Sequence, residues 1–351
     1  MMKVAVLLSG GVDSSVALSL VKRLPGHEVT AFYLKIWLED ELAFLGECPW
    51  EEDLKHARAV CEKEGVPLQI VSLQSEYQER IVSHVVRELK QGRTPSPDIL
   101  CNQWIKFGLF CEKIDSGFER IVSGHYARVC EGNGGWLLKR SPDPVKDQTY
   151  FLSGLNQEQL RRLWFPIGHL HKHEVRALAQ EFELPNRDRR DSQGICFLGK
   201  IKYPDFVRFH LGDRRGEIVE VDTGRKLAEH NGVWYHTVGQ RKGLGLGGGP
   251  WYVVRKDLEA NRVYVAHADR YREHAKREFV VDSVHWIGDP PQSESLETKV
   301  RHSPHLERCR ILPLEAGRLR VMLENEDQGI APGQSAIFYE GDICLGGGVI
   351  E

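Results

Sequence analysis

Residues Ser9-Gly10-Gly11-Val12-Asp13-Ser14-Ser15 constrain this chain more than any other stretch. An apolar run, Val4 to Leu8, precedes them and reads as a buried strand. Val16, Ala17, Leu20, Val21 and Leu24 follow on one helical face, and Pro25 and Gly26 stop the helix. A strand, a glycine turn and a helix N-terminus make an anion site: free N–H groups point outward and the helix dipole favours negative charge. Gly10 and Gly11 let the backbone approach an oxyanion closely. The hydroxyls of Ser9, Ser14 and Ser15 add donors. The competing reading is an ordinary Gly/Ser turn; the position between strand and helix favours the phosphate site.

Two familiar phosphate loops are excluded here. A Walker A loop needs a lysine before its final Ser/Thr, and this stretch has none. The dinucleotide fingerprint needs G-x-G-x-x-G, also absent at this point. The stretch instead resembles the pyrophosphate loop of the ATP pyrophosphatase superfamily. That resemblance implies cleavage of ATP between its α and β phosphates and adenylation of a carbonyl oxygen.

The 351 residues exceed one typical core, so two or three domains are expected. Val29 to Leu34 and Val66 to Leu73 read as further buried strands. Helical spacings lie between them and after them, at Leu54, Ala57, Val60 and Cys61 and at Tyr77, Ile81, Val85 and Leu89. Ile121 to Ser123 leads as a short strand into Gly124-His125-Tyr126. The alternation predicts a doubly wound, mostly parallel sheet with ligands at the strand carboxyl ends. Residues 131–135 read as a surface hairpin turn, and a last helix runs through Val175, Leu178, Ala179 and Phe182. Asn186 to Gly194 is polar and basic and reads as an exposed, mobile loop. From about Gly212, short alternating runs such as 233–237, 251–254, 263–265, 279–281, 319–323 and 335–339 predict strands. The expected fold is therefore α/β: a nucleotide-binding domain over residues 1–197, a small β-rich domain over 198–272 and a C-terminal β-barrel over 273–351.

No run reaches transmembrane length and the N-terminus lacks a signal-peptide pattern, so a cytoplasmic protein with no membrane partner is expected. Its eight cysteines then stay mostly reduced, and none forms a C-x-x-C pair that would favour zinc. A net charge of −3 leaves any nucleic-acid partner to local basic patches. His169, His171 and His173 alternate like ligands but lack companions at metal spacing, which favours solvated or capping roles. Gly243 to Gly248 matches G-x-G-x-x-G without a βαβ context and reads as a flexible loop. The adjoining Gln240, Arg241 and Lys242 fit either RNA phosphates or a solvated turn.

Two cysteines have unusual neighbours. Cys101 precedes an apparent helix, which makes it a lowered-pKa thiolate candidate, and Asp98 lies one turn earlier, within reach of a proton. Cys196 ends the basic loop in Ser192-Gln193-Gly194-Ile195-Cys196-Phe197. A buried apolar thiol is the alternative for both, and the reading adopted for Cys48, Cys61, Cys111, Cys130, Cys309 and Cys344.

In order and spacing, the chain resembles the tRNA-specific 2-thiouridylase family. The resemblance is carried by SGGVDSS, Leu34-Lys35-Ile36-Trp37, Thr94 to Asn102, Ile105-Lys106-Phe107, Ser123 to Tyr126, Lys146-Asp147-Gln148, Asp191 to Phe197, His236 to Gly243 and Pro332 to Ser335. It spans nearly the whole chain. It implies replacement of the C2 oxygen of tRNA uridine 34 by sulfur, after adenylation by ATP with Mg²⁺. By the same resemblance, Leu7, Leu8, Ser9, Gly10, Gly11, Val12, Asp13, Ser14, Leu34 and Gly124 hold ATP. Ser96, Pro97 and Asp98 meet the target base, and His125, Lys146, Asp147, Gln148, Arg301, His302 and Gln334 contact tRNA. Cys196 carries a persulfide received from a sulfur-relay protein or cysteine desulfurase. Cys101 is the nucleophile at the activated carbon or releases sulfide, with Asp98 as acid/base and a transient Cys101–Cys196 disulfide as by-product. Carrying sulfur from outside to a closed pocket implies that the segment around Cys196 changes position between states. One departure stands out: the family has asparagine where this chain has Ser96, which keeps a hydroxyl and loses the amide.

Two other functions fit the phosphate loop. An amide-forming synthetase would not need paired cysteines. A non-catalytic ATP-dependent tRNA-binding module would release no pyrophosphate.

Overall fold

The computed structural model describes residues 1–36, 49–132, 134–191 and 202–351. The first seven strands are β1 (Met2–Leu7), β2 (His27–Lys35), β3 (Leu68–Ser72), β4 (Arg120–Val122), β5 (Ala127–Gly132), β6 (Gly135–Arg140) and β7 (Leu163–Trp164). Five of them form a parallel sheet in the order β3-β2-β1-β4-β7. Its central strand shows why the apolar run is continuous. Val4 and Val6 enter one core, with Val16, Ala17 and Val21 of helix α1 (Val12–Lys22), while Ala5 and Leu7 enter the other. The second core holds two long helices, 74–90 and 97–113.

Each of those helices contains a wide π-helical turn, at Gln78–Val82 and Cys101–Leu109. In the second, a Cβ on Gly108 would lie 2.8 Å from the Gln103 carbonyl oxygen, so glycine permits the widening. Gln159 Nε2 donates to the Gln103 and Phe107 carbonyls at 2.9 and 3.0 Å, satisfying acceptors on this widened turn.

The central unit is a four-stranded sheet of β8 (Gly216–Glu220), β9 (Lys226–His230), β10 (Trp251–Asp257) and β11 (Arg262–His267) in the order β10-β11-β8-β9. The strand expected at 233–237 is instead a single 3₁₀ turn, Val233–Tyr235. His230 ends β9, and its Nδ1 accepts the Gly232 N–H at 2.9 Å, which turns the chain out of the sheet. Val233 buries itself in the core of this unit. Residues 243–250 carry no helix or strand, which matches the reading of the glycine run as a loop.

The last six strands are β12 (Lys276–Trp286), β13 (Ser295–Lys299), β14 (Glu307–Pro313), β15 (Leu319–Asp327), β16 (Ser335–Glu340) and β17 (Ile343–Ile350). They run β12-β15-β14-β13-β16-β17, and β12 pairs with β17 to close an antiparallel barrel. The β5–β6 hairpin is not a free surface hairpin. It adds to this sheet, with Ile343 opposite Lys139 and Cys344 opposite Leu138. One core accordingly runs from Ile105 and Tyr150 to Ile337, Tyr339 and Cys344.

Polar bonds join the units where the sequence quoted separate motifs. Gln334 Nε2 donates to the Thr94 carbonyl at 2.9 Å, the Thr94 N–H donates to Pro332 at 2.8 Å, and the Tyr150 hydroxyl donates to Ser335 at 3.0 Å. Thr94 and Thr237 hydroxyls lie 3.2 Å apart. No helix among the described residues is long and apolar enough to cross a membrane.

Candidate active site

The phosphate end is built by β1, α1 and β4. Gly11 is the Ncap of α1, in extended conformation, and no side chain caps the helix. Among the described residues, no side chain therefore caps the first N–H groups of α1, and they suit an anion. Gly10 sits at φ +78°, with Asp53 so close that a Cβ would lie 2.2 Å from its carbonyl oxygen. Ser9 is exposed, its Oγ 3.1 Å from that of Ser14. The Ser14 hydroxyl donates to the Gly11 carbonyl at 3.0 Å. Ser15 departs from expectation: it is fully buried, donates to the same carbonyl at 2.9 Å and accepts from Asn186. It shapes the turn and offers nothing to a ligand. Leu7, Leu8 and Val12 are core side chains, so only their backbone faces the loop. Gly124, just beyond β4, forms the opposite wall, where a Cβ would lie 2.5 Å from the Ser14 nitrogen. The crevice between β1 and β4 lies at the strand carboxyl ends, and Leu34, near the end of β2, shares that edge.

The expected mobile loop is anchored over its described part, 186–191. Asn186 is buried and donates to the Gly10 carbonyl at 2.8 Å; Arg189 donates to the same oxygen at 3.0 Å and pairs with Asp53. Arg176 donates to the Arg187 carbonyl at 3.0 Å, the Arg189 carbonyl at 2.6 Å and Asp191 at 2.6 Å. These bonds brace the glycine turn from behind. Cys196 and its neighbours Ser192 to Phe197 lie outside the described residues, as does Cys48.

Asp13, in the first turn of α1, accepts from Lys172 Nζ at 2.7 Å and from the Tyr126 hydroxyl at 2.9 Å. One loop carboxylate beside phosphate oxygens is a donor set that suits Mg²⁺. Among the described residues, no group of three or more His, Cys, Asp or Glu is arranged to hold a metal. His169 and His173 are exposed, and His171 takes the Ncap position of helix Lys172–Glu181.

Cys101 corrects a second expectation. Pro97 occupies the start of the helix, with Ser96 at Ncap, so Cys101 falls after the first turn rather than at its tip. There it is 1% exposed, within the core cluster that includes Ile81 and Ile105. Burial pushes its thiol above the ordinary value, the opposite of the lowered value expected. The nearby Asp98 carboxylate pushes the same way; Lys106 and a hydrogen bond with Tyr77 oppose it. Lys106 also lies near His125, whose ring packs against Phe107 at 5.7 Å and whose neighbour Gly124 touches Ser14. Cys101 thus shares a core with Phe107, which packs on His125 beside the phosphate loop. Burial, then Lys106, lowers the His125 pKa to about 3, so the ring is neutral. Its Nδ1 lies 2.7 Å from Ser123 Oγ. Of the remaining described cysteines, Cys61, Cys309 and Cys344 are buried, while Cys111 and Cys130 are only half-buried.

The residues expected at RNA divide into two groups. Lys146 pairs with Asp191 at 2.7 Å and Arg301 grips Asp327 through two bonds of 2.7 and 2.8 Å; both cations reach the surface. The His302 ring packs against Phe151 at 4.6 Å, tilted by 31°, and Gln148 accepts the Tyr126 N–H at 2.9 Å. Asp147 is different. It is 0% exposed and accepts from Lys299 at 2.8 Å, Arg140 at 3.2 Å and the Thr149 hydroxyl at 2.8 Å. It has no surface to offer RNA, and instead holds Lys146 and Gln148 against the barrel. Gln334 likewise supports Thr94 and Pro95 from behind. The Gln240 to Lys242 turn is closed by its own Gln240–Lys242 bond of 2.9 Å, and Arg241 and Lys242 are exposed. A cavity of about 860 Å³ on the barrel, lined in part by Arg277, Arg308 and Glu324, contains none of these residues.

Three family models match the chain: a "tRNA methyl transferase HUP domain" over residues 2–200, a "tRNA methyl transferase PRC-barrel domain" over 204–267 and an "Aminomethyltransferase beta-barrel domain" over 276–350. A tRNA-specific 2-thiouridylase MnmA of Parabacteroides distasonis is 44% identical over 356 residues, 99% of each chain. One from Bacteroides thetaiotaomicron is 43% identical with the same coverage. Among solved structures, a U34-tRNA thiolase, NcsA, from Methanococcus maripaludis aligns over 60% of this chain and 70% of its own, with a TM-score of 0.36 and 17% identity.

Proposed function

Because the chain belongs to the tRNA-specific 2-thiouridylase family, we propose that it is a tRNA sulfurtransferase that uses ATP to put sulfur on C2 of uridine 34. The observation that carries this reading is the uncapped N-terminus of α1 facing Gly124, whose neighbour His125 packs on Phe107, in the same core as Cys101. A polyphosphate site suits adenylation and has no part in methyl transfer, which favours the relatives' chemistry over the methyltransferase wording of two family models.

In this reading Leu7 to Ser14, Leu34 and Gly124 hold ATP. Asp13 would hold Mg²⁺, which would neutralise phosphate charge when bound. A flipped uridine enters beside Ser96, Pro97 and Asp98. Its C2 oxygen attacks the α-phosphate and pyrophosphate leaves. The outer sulfur of a Cys196 persulfide then takes C2, and the original oxygen departs in AMP. The remaining Cys196 sulfur bonds to Cys101, whose proton Asp98 accepts, and a reductant must open the disulfide before another turnover. In the present conformation the Cys101 thiol is shielded and protonated, so RNA binding has to open the Ser96–Cys101 turn. Lys146, Gln148, His125, Arg301, His302 and Gln334 position the anticodon arm, and a persulfide donor charges Cys196. The division at residues 197 and 272 and a cytoplasmic setting belong to the same reading.

The test is turnover of α-labelled ATP with tRNA, together with mass spectrometry of the RNA. AMP, pyrophosphate and 2-thiouridine are expected. ADP as main product, or full activity in Cys101→Ser or Cys196→Ser, refutes the mechanism.

A further inference from the structure

Thr94 stands at the root of the turn that carries Ser96, Asp98 and Cys101, and the other two units bond all of its polar groups. Its N–H donates to the Pro332 carbonyl of the barrel at 2.8 Å, and its carbonyl accepts Gln334 Nε2 at 2.9 Å. Its hydroxyl lies 3.2 Å from that of Thr237 in the central unit. Thr237 is itself fixed. Its N–H donates to Gln240 Oε1 at 2.9 Å, the Gly239 N–H donates to the Val253 carbonyl at 2.8 Å, and the Val253 N–H donates to the Gln240 carbonyl at 2.9 Å, which ties the turn after Thr237 to β10. A Cβ on Gly239 would lie 2.9 Å from Gly329 Cα, so the same turn is pressed against the barrel. The residues after Thr94 transmit its position. Pro95 and Pro97 fix their own φ and disfavour helical backbone at Thr94 and Ser96. Ser96 follows at φ −109° and ψ 76°, and Pro97 opens the helix that carries Asp98 and leads into Cys101. Few free dihedrals therefore separate Thr94 from Asp98.

We infer that Thr237 is a positioning residue for the reaction: through Thr94 it sets where the Ser96–Cys101 turn holds the target uridine. The inference rests on the reading above that this turn meets the base of uridine 34. Adenylation needs the C2 oxygen in line with the α-phosphate, and a misplacement of about 1 Å can cost on the order of a hundredfold in rate. Glu88 grips Arg93 through two bonds of 2.6 and 2.7 Å, which fixes the turn from the nucleotide-binding side. The barrel fixes the Thr94 backbone. The Thr237 hydroxyl adds the restraint from the third side. When RNA opens the turn, Thr94 is the root about which it moves, and Thr237 decides where that root lies. The central unit thereby takes part in the chemistry without touching the reacting atoms.

The experiment follows single-turnover pyrophosphate release by the full chain with ATP and saturating transcribed tRNA bearing uridine 34, a readout that needs no sulfur donor. Filter binding of the same tRNA accompanies it. Thr237→Val keeps the side-chain shape and drops the hydroxyl. Its rate at saturating tRNA should fall about fivefold, the worth of one neutral hydrogen bond, while the tRNA Kd stays within about twofold of the wild type. Thr237→Ser, which keeps the hydroxyl, should restore the rate. Thr94→Val removes the same bond from the other end and carries the comparison should Thr237→Val fail to fold. The double valine variant should be no slower than either single one. An unchanged rate in Thr237→Val overturns the inference and leaves the adenylation reading standing. So does a loss confined to tRNA affinity, a loss that Thr237→Ser shares, or losses that multiply in the double variant. A wild type that releases no pyrophosphate with tRNA refutes the adenylation of tRNA and the inference together.

Discussion

Replacing Lys299 by methionine tests whether Asp147 is a structural hub rather than an RNA contact. Both side chains are 0% exposed and 2.8 Å apart. The variant keeps the packing volume but leaves a buried carboxylate with Arg140 at 3.2 Å and the Thr149 hydroxyl at 2.8 Å. Removing one partner of a buried pair costs about 3–5 kcal/mol. The remaining Arg140 charge places this case near the lower end, at about 3 kcal/mol. The pH dependence is a second signature. Burial pushes the Asp147 carboxyl up, but the charge and hydrogen bond of Lys299 and the bonds from Thr149 outweigh it, leaving the pKa below its ordinary 3.8. A lowered folded pKa means that the pair stabilises the wild type above pH 3.8 and that this contribution is lost as pH falls through the folded value. In the variant, burial prevails and the carboxyl shifts upward, so its penalty is largest near neutrality and is relieved by protonation. The gap between the two proteins should therefore shrink as pH falls towards 4. Urea unfolding followed by tryptophan fluorescence across a pH series measures it. Adding Asp147→Asn to the variant should recover most of the loss. A cost below about 1 kcal/mol at pH 7, or a gap that does not narrow on acidification, would refute the argument.

Three further outcomes are expected. Burial, then the charges of His230 and Lys256, lowers the His236 pKa to about 4. Folding stability should therefore fall as pH drops from the ordinary 6.5 towards 4, and His236→Gln should reduce that slope by about 1.4 kcal/mol per pH unit in urea titrations; identical slopes would contradict the burial argument. Gly124→Ala puts a Cβ 2.5 Å from the Ser14 nitrogen, so ATP-analogue binding should weaken at least tenfold without loss of the fold, as calorimetry and circular dichroism would show. Lys146→Ala and Arg301→Ala should each reduce the slope of log tRNA affinity against log salt by about one phosphate contact in filter binding; unchanged slopes in both would move the RNA footprint elsewhere.

Elements with a local period were legible in the sequence. The run Val4 to Leu8, continuous because both faces of β1 are covered, announced a parallel strand, and glycine marked the turn behind it. Pairings over long separations leave no such trace. Asn186 looks like any loop asparagine until Gly10 and Ser15 are seen beside it. Cys101 looked like a helix-tip thiolate because nothing local reveals that it shares a core with Ile81 of the preceding helix. The alternation at 233–237 fits a strand and a 3₁₀ turn equally well, and the bond from Gly232 to His230 decides between them.

The β5–β6 hairpin lies within the nucleotide-binding stretch by sequence and in the barrel's sheet by hydrogen bonding. Its inward face shares Leu138 and Tyr150 with Ile337 and Tyr339 in one core. The nucleotide-binding half is for that reason no portable cassette. Shortening the chain before β16 would open the core that positions Lys146 and the Ser96–Cys101 turn. Recombination among related chains could exchange barrels only by carrying the hairpin along, so the phosphate loop and the barrel are inherited as a single piece.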